Sequence, residues 1–120
     1  MLVKDLFTYQ IKEQSEDMIA AEVGINAANE LFEGHFPNMP ITPGVLQVNI
    51  IEELLEQVLK QKYKLKTLNR CKFLAKWDPS VTPSVNVSIK LGVIEDGVKV
   101  TASGMGSEAI FKFNATYSLK

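Results

Sequence analysis

The chain has 120 residues, of which 46% are hydrophobic and 22% charged, and its formal net charge is −1. These values predict a single soluble globular domain over residues 1–120, large enough to bury its own core. The near-zero net charge gives no electrostatic case for binding nucleic acid or a membrane. The single cysteine, Cys71, excludes an intrachain disulfide and a cysteine metal site. Because it lies in an apolar run, we expect a buried structural thiol.

The N-terminal part of the chain predicts a β-hairpin. Residues 6–14 alternate loosely between apolar and polar, residues 15–17 are turn-like, and residues 18–25 predict a second strand. No basic region followed by a long apolar stretch opens the chain, and no apolar run approaches the thickness of a bilayer. We therefore expect a cytoplasmic protein without a secretory signal.

Three prolines at every third position dominate the middle of the chain. Pro37, Pro40 and Pro43 each fix their own φ and bias the preceding residue away from a helix. Residues 35–42 are thus predicted to form an ordered, extended loop. Thr42, Pro43 and Gly44 then predict a helix start, with Thr42 as the cap and Pro43 in the first helical position.

One long helix is predicted over residues 43–62. Its apolar arc comprises Val48, Ile50, Ile51, Leu54, Leu55, Val58 and Leu59. Additional apolar residues in the first turns indicate that the N-terminal half is buried almost all round. Glu52, Glu53 and Glu56 are predicted to form the solvated face of the C-terminal half.

Four strands are predicted after the helix, over residues 68–76, 85–91, 98–105 and 110–119, with a hairpin turn at residues 95–97. A sheet of this size needs a cover for its apolar face, and the helix is the candidate. The fold class is therefore α+β, an antiparallel sheet wrapped around one central helix. An open sheet edge suggests an oligomer that continues the sheet.

The basic residues Lys64, Lys66, Arg70 and Lys72 follow the predicted helix closely. We interpret them first as a solvated turn between the helix and the next strand. The alternative is a landing patch for an acidic partner protein.

His35 is the only histidine, and so the only imidazole for proton chemistry near neutral pH. The loop that carries it leads into a helix start where Gly44 and Val45 have N–H groups without intrahelical partners. Such donors can polarise a carbonyl oxygen, and a nearby histidine can then remove a proton from the adjacent carbon. Alternatively, His35 binds a loop carbonyl and the Thr-Pro-Gly sequence merely caps the helix.

Residues 29–37, Asn-Glu-Leu-Phe-Glu-Gly-His-Phe-Pro, are followed by Pro40 and by Pro-Gly-Val-Leu at residues 43–46. This pattern resembles the 3-hydroxyacyl-acyl-carrier-protein dehydratases of the hot-dog fold (FabA/FabZ type). The run from Arg70 to Leu74, with the later Pro79, resembles a second recurring segment of that family. The resemblance implies a hot-dog fold, a dimer whose two sheets join, and acyl carrier protein as the partner that delivers the substrate.

The resemblance also implies roles for individual residues. His35 matches the base that removes the proton alpha to the thioester. Ile41 matches the residue whose backbone carbonyl orients the imidazole. Gly44 matches the glycine whose N–H binds the thioester oxygen. No metal or other cofactor is implied. The candidate walls of an acyl tunnel are Phe36, Ile41, Val45, Leu46, Phe73, Leu74 and Trp77.

Asn49 departs from the family pattern, which has Glu or Asp five residues after the glycine. An amide can hold a water or a substrate hydroxyl, but it cannot deliver a proton. Glu53, about 6 Å further along the helix axis, is a distant substitute that would act through a water. A second departure surrounds Trp77, which is expected to reshape the mouth of the tunnel.

Three hypotheses follow. The first is a lyase that dehydrates 3-hydroxyacyl-acyl carrier protein in fatty acid, polyene or polyketide synthesis, with His35 as base and Asn49 holding a water. The second is a subunit that needs a related chain to supply the missing carboxylate in a heterodimer; a homodimer and a higher oligomer stay open as alternatives. The third is a thioesterase or acyl-binding module on the same fold.

Overall fold

The structure is a computed structural model, and it describes residues 7–26, 44–79 and 82–119, without the side chain of Val45. Its strands form one antiparallel sheet in the order β1-β2-β4-β5-β6-β3. The elements are β1 (Phe7–Gln14), β2 (Met18–Ile25), α1 (Gly44–Leu59), β3 (Tyr63–Phe73), β4 (Ser84–Ile94), β5 (Gly97–Met105) and β6 (Ala109–Leu119). The predicted hairpin of β1 and β2 and the turn between Ile94 and Gly97 are both confirmed.

The helix packs against one face of the sheet, as the apolar pattern predicted. Its buried side chains include those of Ile51, Leu54 and Leu55, none of which is exposed to solvent. On β6, alternate side chains are buried and the intervening ones face outward, which is the pattern of a sheet with one covered face. We call the face that packs against α1 the inner face and the opposite one the outer face.

The end of α1 differs from the prediction. The helix stops at Leu59 instead of Lys62, because Lys60 adopts a left-handed conformation with φ of 57°. Tyr63 then donates its backbone N–H to Oε2 of Glu56 at 2.9 Å. This bond turns the chain directly into β3, which starts five residues earlier than predicted.

The basic residues Lys64, Lys66, Arg70 and Lys72 therefore lie on a strand, and their interpretation as a turn was wrong. All four are exposed, because β3 forms the edge of the sheet. The β3–β6 register shifts between Asn69 and Lys72, and Arg70 has a φ of 50° at this bulge. Cys71, predicted to be buried, is only partly so and packs at the margin of the core.

Candidate functional site

The start of α1 lies against the end of β3. A Cβ atom on Gly44 would lie 2.6 Å from Cζ of Phe73 and 2.7 Å from its Cε2, far inside van der Waals contact. Glycine therefore lets the aromatic ring approach the helix backbone closely. The first N–H groups of the helix have no intrahelical partners, and the positive end of the helix dipole is here. This junction can stabilise negative charge on a ligand oxygen.

Several predicted site residues lie outside the described part of the chain. These are His35, Phe36 and Ile41, together with the predicted cap Thr42 and the side chain of Val45. Their predicted roles therefore stay predictions. Of the three predicted catalytic positions, the structure describes Gly44 and Asn49.

Asn49 is half-buried on α1 between the buried residues Val48 and Ile50. It lies about 7.5 Å along the helix axis from Gly44 by the rise of 1.5 Å per residue. Its amide can donate and accept hydrogen bonds, but it has no proton to release at neutral pH. A carboxylate at this position would be partly shielded from water, which is the environment in which an acid or base is readily tuned.

The sequence predicts that the three glutamates after Asn49 on α1 form a solvated face. The structure shows instead that none of them is fully exposed. Glu52, Glu53 and Glu56 are all partly buried. The side chain of Glu56 is 18% exposed, accepts the Tyr63 N–H bond and lies 3.9 Å from Nζ of Lys62. Glu56 thus holds the helix-to-strand connection, and it has a structural role.

Tyr117 was not singled out by the sequence, yet it is a buried polar residue whose pKa is shifted. The residue is fully buried on β6, and its hydroxyl has no hydrogen-bond partner among the described residues. Burial raises the pKa of Tyr117 strongly, and the negative charge of Glu52 raises it further. The phenol therefore stays neutral at every physiological pH. An alternating strand pattern predicts its burial but not its position relative to Glu52.

The candidate tunnel residues divide into two groups. Leu46 and Trp77 are buried in the core, whereas Phe73 and Leu74 are 49% and 54% exposed. Trp77 stacks on Phe111 with a ring-centroid distance of 6.3 Å, and so lies within the core of the chain. Contact of any of these residues with an acyl chain remains a prediction.

Two further findings concern metal binding and membrane spanning. No set of three or more His, Cys, Asp or Glu side chains within residues 7–26, 44–79 and 82–119 is arranged to bind a metal ion. The helix described here is also too short and insufficiently apolar to cross a membrane.

A protein-family model described as ApeI-like, ApeI dehydratase, matches residues 10–105. The chain belongs to the ApeI-like dehydratase family. The match covers most of the chain, from β1 to the end of β5, and so includes both Gly44 and Asn49. It confirms the dehydratase resemblance drawn from the motifs around His35.

Curated relatives of this ApeI-like chain carry the name 3-hydroxyacyl-acyl-carrier-protein dehydratase FabZ. The protein from Thermotoga neapolitana is 50% identical over 44 residues, which are 37% of this chain and 30% of the relative. The protein from Thermotoga maritima is 53% identical over 36 residues, or 30% of this chain and 26% of the relative. The chain thus spans between a quarter and a third of the length of the curated relatives it matches.

Solved structures show the same hot-dog architecture over nearly the whole chain. The dehydratase heterocomplex ApeI:P from Xenorhabdus doucetiae matches with a TM-score of 0.76 at 14% identity, covering 91% of this chain and 94% of that one. A hypothetical thioesterase with coenzyme A from Streptococcus pneumoniae matches with a TM-score of 0.68 at 7% identity, covering 94% and 86%. At these identities the likeness shows the fold alone, and it confirms the predicted hot-dog fold.

Proposed function

We propose that this ApeI-like protein dehydrates 3-hydroxyacyl thioesters on acyl carrier protein to enoyl thioesters. The observation that carries the proposal is the junction of Gly44 and Phe73 at the start of α1. Its N–H groups, which have no intrahelical partners, and the helix dipole suit the thioester oxygen, which gains negative charge when the neighbouring carbon loses its proton. Family membership supplies the reaction class, and fatty acid, polyene or polyketide synthesis is the proposed setting.

In the proposed reaction His35 takes the proton from the carbon alpha to the thioester. The electron pair left on that carbon is delocalised onto the thioester oxygen, where the Gly44 N–H donates a hydrogen bond. The hydroxyl on the next carbon then leaves with one proton as water, and the double bond forms. Asn49 holds the leaving hydroxyl or a water, while the proton itself comes from the His35 imidazolium, either directly or relayed through that water.

The direct test is the formation of enoyl thioester from 3-hydroxyacyl thioesters attached to acyl carrier protein. Wild type is compared with His35→Ala under identical conditions. Turnover that depends on His35 supports the proposal. Equal turnover in both proteins, or none in either, contradicts dehydration by the homo-oligomer.

A second candidate function is that of a subunit whose partner supplies the acid. Two observations favour it: Asn49 stands where the family has a carboxylate, and the β3 edge has no described strand beside it. Leu65 and Leu68 lie opposite Tyr117 and Ala115 in the β3–β6 register, so they point to the inner face, yet they are 36% and 40% exposed. Such an edge suits a related chain that continues the sheet.

Co-expression tests this candidate. A neighbouring dehydratase-like chain that carries a carboxylate at the position of Asn49 is purified with this chain, and the activity of the mixture is compared with that of each chain alone. A stable complex with an activity gain that disappears in His35→Ala supports the shared site. Absence of both complex and gain removes the candidate.

The thioesterase hypothesis has weaker support. The thioesterases among the structural neighbours share the fold at identities that carry no functional argument. Release of free thiol in the dehydration assay would favour hydrolysis of the thioester. Glu53, which is half-buried, stays a proposed but distant substitute for the missing acid, and Glu53→Gln in the same assay tests it.

A further inference from the structure

The sheet of this protein is longer than the helix that covers it. Strands β4 and β6 each have 11 residues and so extend about 36 Å, whereas the 16 residues of α1 extend about 24 Å. Beyond Leu59, the last residue of α1, the inner face of the sheet therefore continues without cover from the helix. Val93 lies opposite the buried Val98 and shares its inner face, yet it is 84% exposed.

A cleft of about 300 Å³ occupies this end of the inner face. Its apolar lining comes from the end of α1, the start of β3, the β4–β5 hairpin and the end of β6: Leu59, Tyr63, Leu91, Val93, Ile94, Val98 and Leu119. Leu119 lies opposite Tyr63 in the register and is 47% exposed. The apolar surface thus extends from the cleft onto its open rim.

Backbone hydrogen bonds hold the loops around the cleft in place. The Leu91 N–H donates to the carbonyl oxygen of Asp17 at 2.8 Å, which fixes the β1–β2 turn against β4. The Leu119 N–H donates to the carbonyl oxygen of Asp96 at 2.9 Å, which fixes the β4–β5 turn against β6. The hydrogen bond between the end of α1 and the start of β3 holds the third wall. The cleft is therefore formed before a ligand binds, which lowers the ordering cost of binding.

The mouth of the cleft carries negative charge. Glu16 and Glu95 line it and are exposed, and none of the described lining residues is basic. The last turn of α1 contains no basic residue either, so the helix itself does not compensate the negative end of its dipole. Lys60 and Lys62 follow the helix, but neither lines the cleft, and Lys62 lies 3.9 Å from Oε1 of Glu56. A cation on a ligand would thus be stabilised by two carboxylates and a helix end.

The size and charge of the cleft indicate what occupies it. Its volume is at the lower limit for a small-molecule pocket, and a compact ligand inside it would leave Val93 and Leu119 exposed on the rim. A second copy docking through the same cleft would bring Glu16 and Glu95 against their own equivalents, and like charges across an interface oppose association. A segment of another protein, with an apolar side chain in the cleft and a lysine or arginine at its mouth, satisfies both shape and charge.

We propose that the cleft at the C-terminal end of α1 is a docking site for a basic and apolar segment of another protein. Gly44 is at the opposite end of the helix, about 22 Å away along its axis by the rise per residue. The inference therefore does not rest on the reaction proposed above, and it holds for a lyase, a hydrolase or a binding module alike.

The test measures binding of a labelled peptide with the central sequence Lys-Leu-Phe-Arg by fluorescence anisotropy. Two control peptides have the same length: Glu-Leu-Phe-Glu reverses the charge, and Lys-Ser-Ser-Arg removes the apolar anchor. We expect wild type to bind the first peptide about tenfold more tightly than either control. Changes in the amide signals of the ¹⁵N NMR spectrum should place the peptide at Leu91, Gly97 and Leu119.

Paired variants separate the charge of the cleft from the total charge. Glu16→Gln combined with Glu95→Gln should weaken binding of the Lys-Leu-Phe-Arg peptide about fivefold, from two exposed charge contacts. The matched control combines Glu22→Gln and Glu108→Gln, which removes the same charge from two exposed residues that do not line the cleft. The control should change binding less than about twofold.

Val93→Ser tests the apolar part of the site and should also weaken binding about fivefold, because less apolar surface is buried by the peptide. Met105→Ser is its control, since Met105 is 50% exposed at the opposite end of β5. Both side chains are largely exposed, so the melting temperatures should stay near that of wild type. A loss of binding in Val93→Ser then reports on docking rather than on folding.

Failure of the wild type to bind the Lys-Leu-Phe-Arg peptide, or equal binding of all three peptides, would overturn the proposal. So would equal weakening in both double variants, which would show an effect of net charge. NMR changes centred on Gly44 and Phe73 would place the peptide in the proposed acyl site and contradict the cleft. Self-association that the Glu16 and Glu95 changes strengthen, without peptide binding, would make a second copy the occupant and also overturn it.

Discussion

The ring of Phe73 lies in the space that a Cβ atom at Gly44 would occupy, with Cζ 2.6 Å from that position. The two residues are far apart in the sequence, one at the end of β3 and the other at the start of α1. Their contact joins the edge strand to the helix start that is proposed to hold the thioester oxygen. A Cβ atom at position 44 would therefore displace either the ring or the helix start.

Gly44→Ala is predicted to lower kcat/KM about ten- to a hundredfold, because the ring of Phe73 or the helix start must move. The loss should be smaller than that caused by removing an entire oxyanion donor, because the N–H group at position 44 remains. The added Phe73→Ala change should restore part of that activity by removing the clash. Steady-state kinetics of both variants provide the measurement.

Gly92→Ala is the matched control for this change, since nothing lies within 4 Å of a Cβ built at Gly92. It should leave both activity and stability nearly unchanged. If the double variant is no more active than Gly44→Ala alone, the contact with Phe73 does not explain the requirement for glycine.

Glu56→Ala is predicted to reduce the free energy of unfolding by about 1–3 kcal/mol, because a charge-assisted hydrogen bond to a partly buried N–H is lost. Lys62→Ala should cost less than about 1 kcal/mol, because the Lys62 side chain is 78% exposed and its ion pair is screened. Urea unfolding measures both. A larger effect for Lys62 than for Glu56 would mean that the ion pair, rather than the bond to Tyr63, secures the connection.

Tyr117→Phe is predicted to change how stability depends on alkaline pH. The pKa of Tyr117 is raised in the folded protein by burial and by Glu52, while the ordinary value is 10.0. Above pH 10 the unfolded chain loses the Tyr117 proton and the folded chain retains it, so wild-type stability falls as the pH rises.

The loss of stability at alkaline pH is measured as the change in the free energy of unfolding between neutral pH and a pH above 10. Wild type is compared with Tyr117→Phe, and Tyr9→Phe is the control because Tyr9 is an exposed tyrosine. The Tyr117→Phe variant should lose less stability than wild type over this range. At neutral pH it should be close to wild type, because the hydroxyl that it removes has no partner among the described residues. Parallel alkaline losses in all three proteins would contradict the burial of a neutral phenol.

The sequence predicted the elements that have a regular apolar period. Strand β2 begins and ends at the predicted residues, and α1 starts within one residue of its prediction, because Pro43 and Gly44 mark the boundary. Asn49 was also recognised as the departure from the family pattern. These features depend on local spacing, which a single sequence displays directly.

The sequence could not predict features that depend on distant contacts. Residues 63–67 of β3 were missed although Tyr63 and Leu65 alternate with Lys64 and Lys66, because the predicted helix ran on to residue 62. The bond from Tyr63 to Glu56 and the stack of Trp77 on Phe111 join separate elements. The like-charge pair of Lys72 and Lys112 emerges only from the strand register.

Leu68→Asp is predicted to weaken an oligomer that continues the sheet through β3. Leu68 is 40% exposed on the inner side of this edge, and a charge there would be desolvated in an interface. Val93→Asp is the control, since Val93 is 84% exposed on β4, away from the edge. Sedimentation should show a shift towards monomer for Leu68→Asp alone. The same shift in both variants, or in neither, would argue against assembly through β3.

The half-buried position of Asn49 on α1 provides the most direct test of the proposed site. Asn49→Glu restores a carboxylate, and general acid–base help is worth about 10²–10⁴-fold in rate. The measurement is the rate of enoyl thioester formation by wild type, Asn49→Glu, and Asn49→Glu combined with His35→Ala. The proposed site predicts a clear rise in the single variant and its loss in the double variant. An unchanged rate in Asn49→Glu, or a rise that persists without His35, would contradict it.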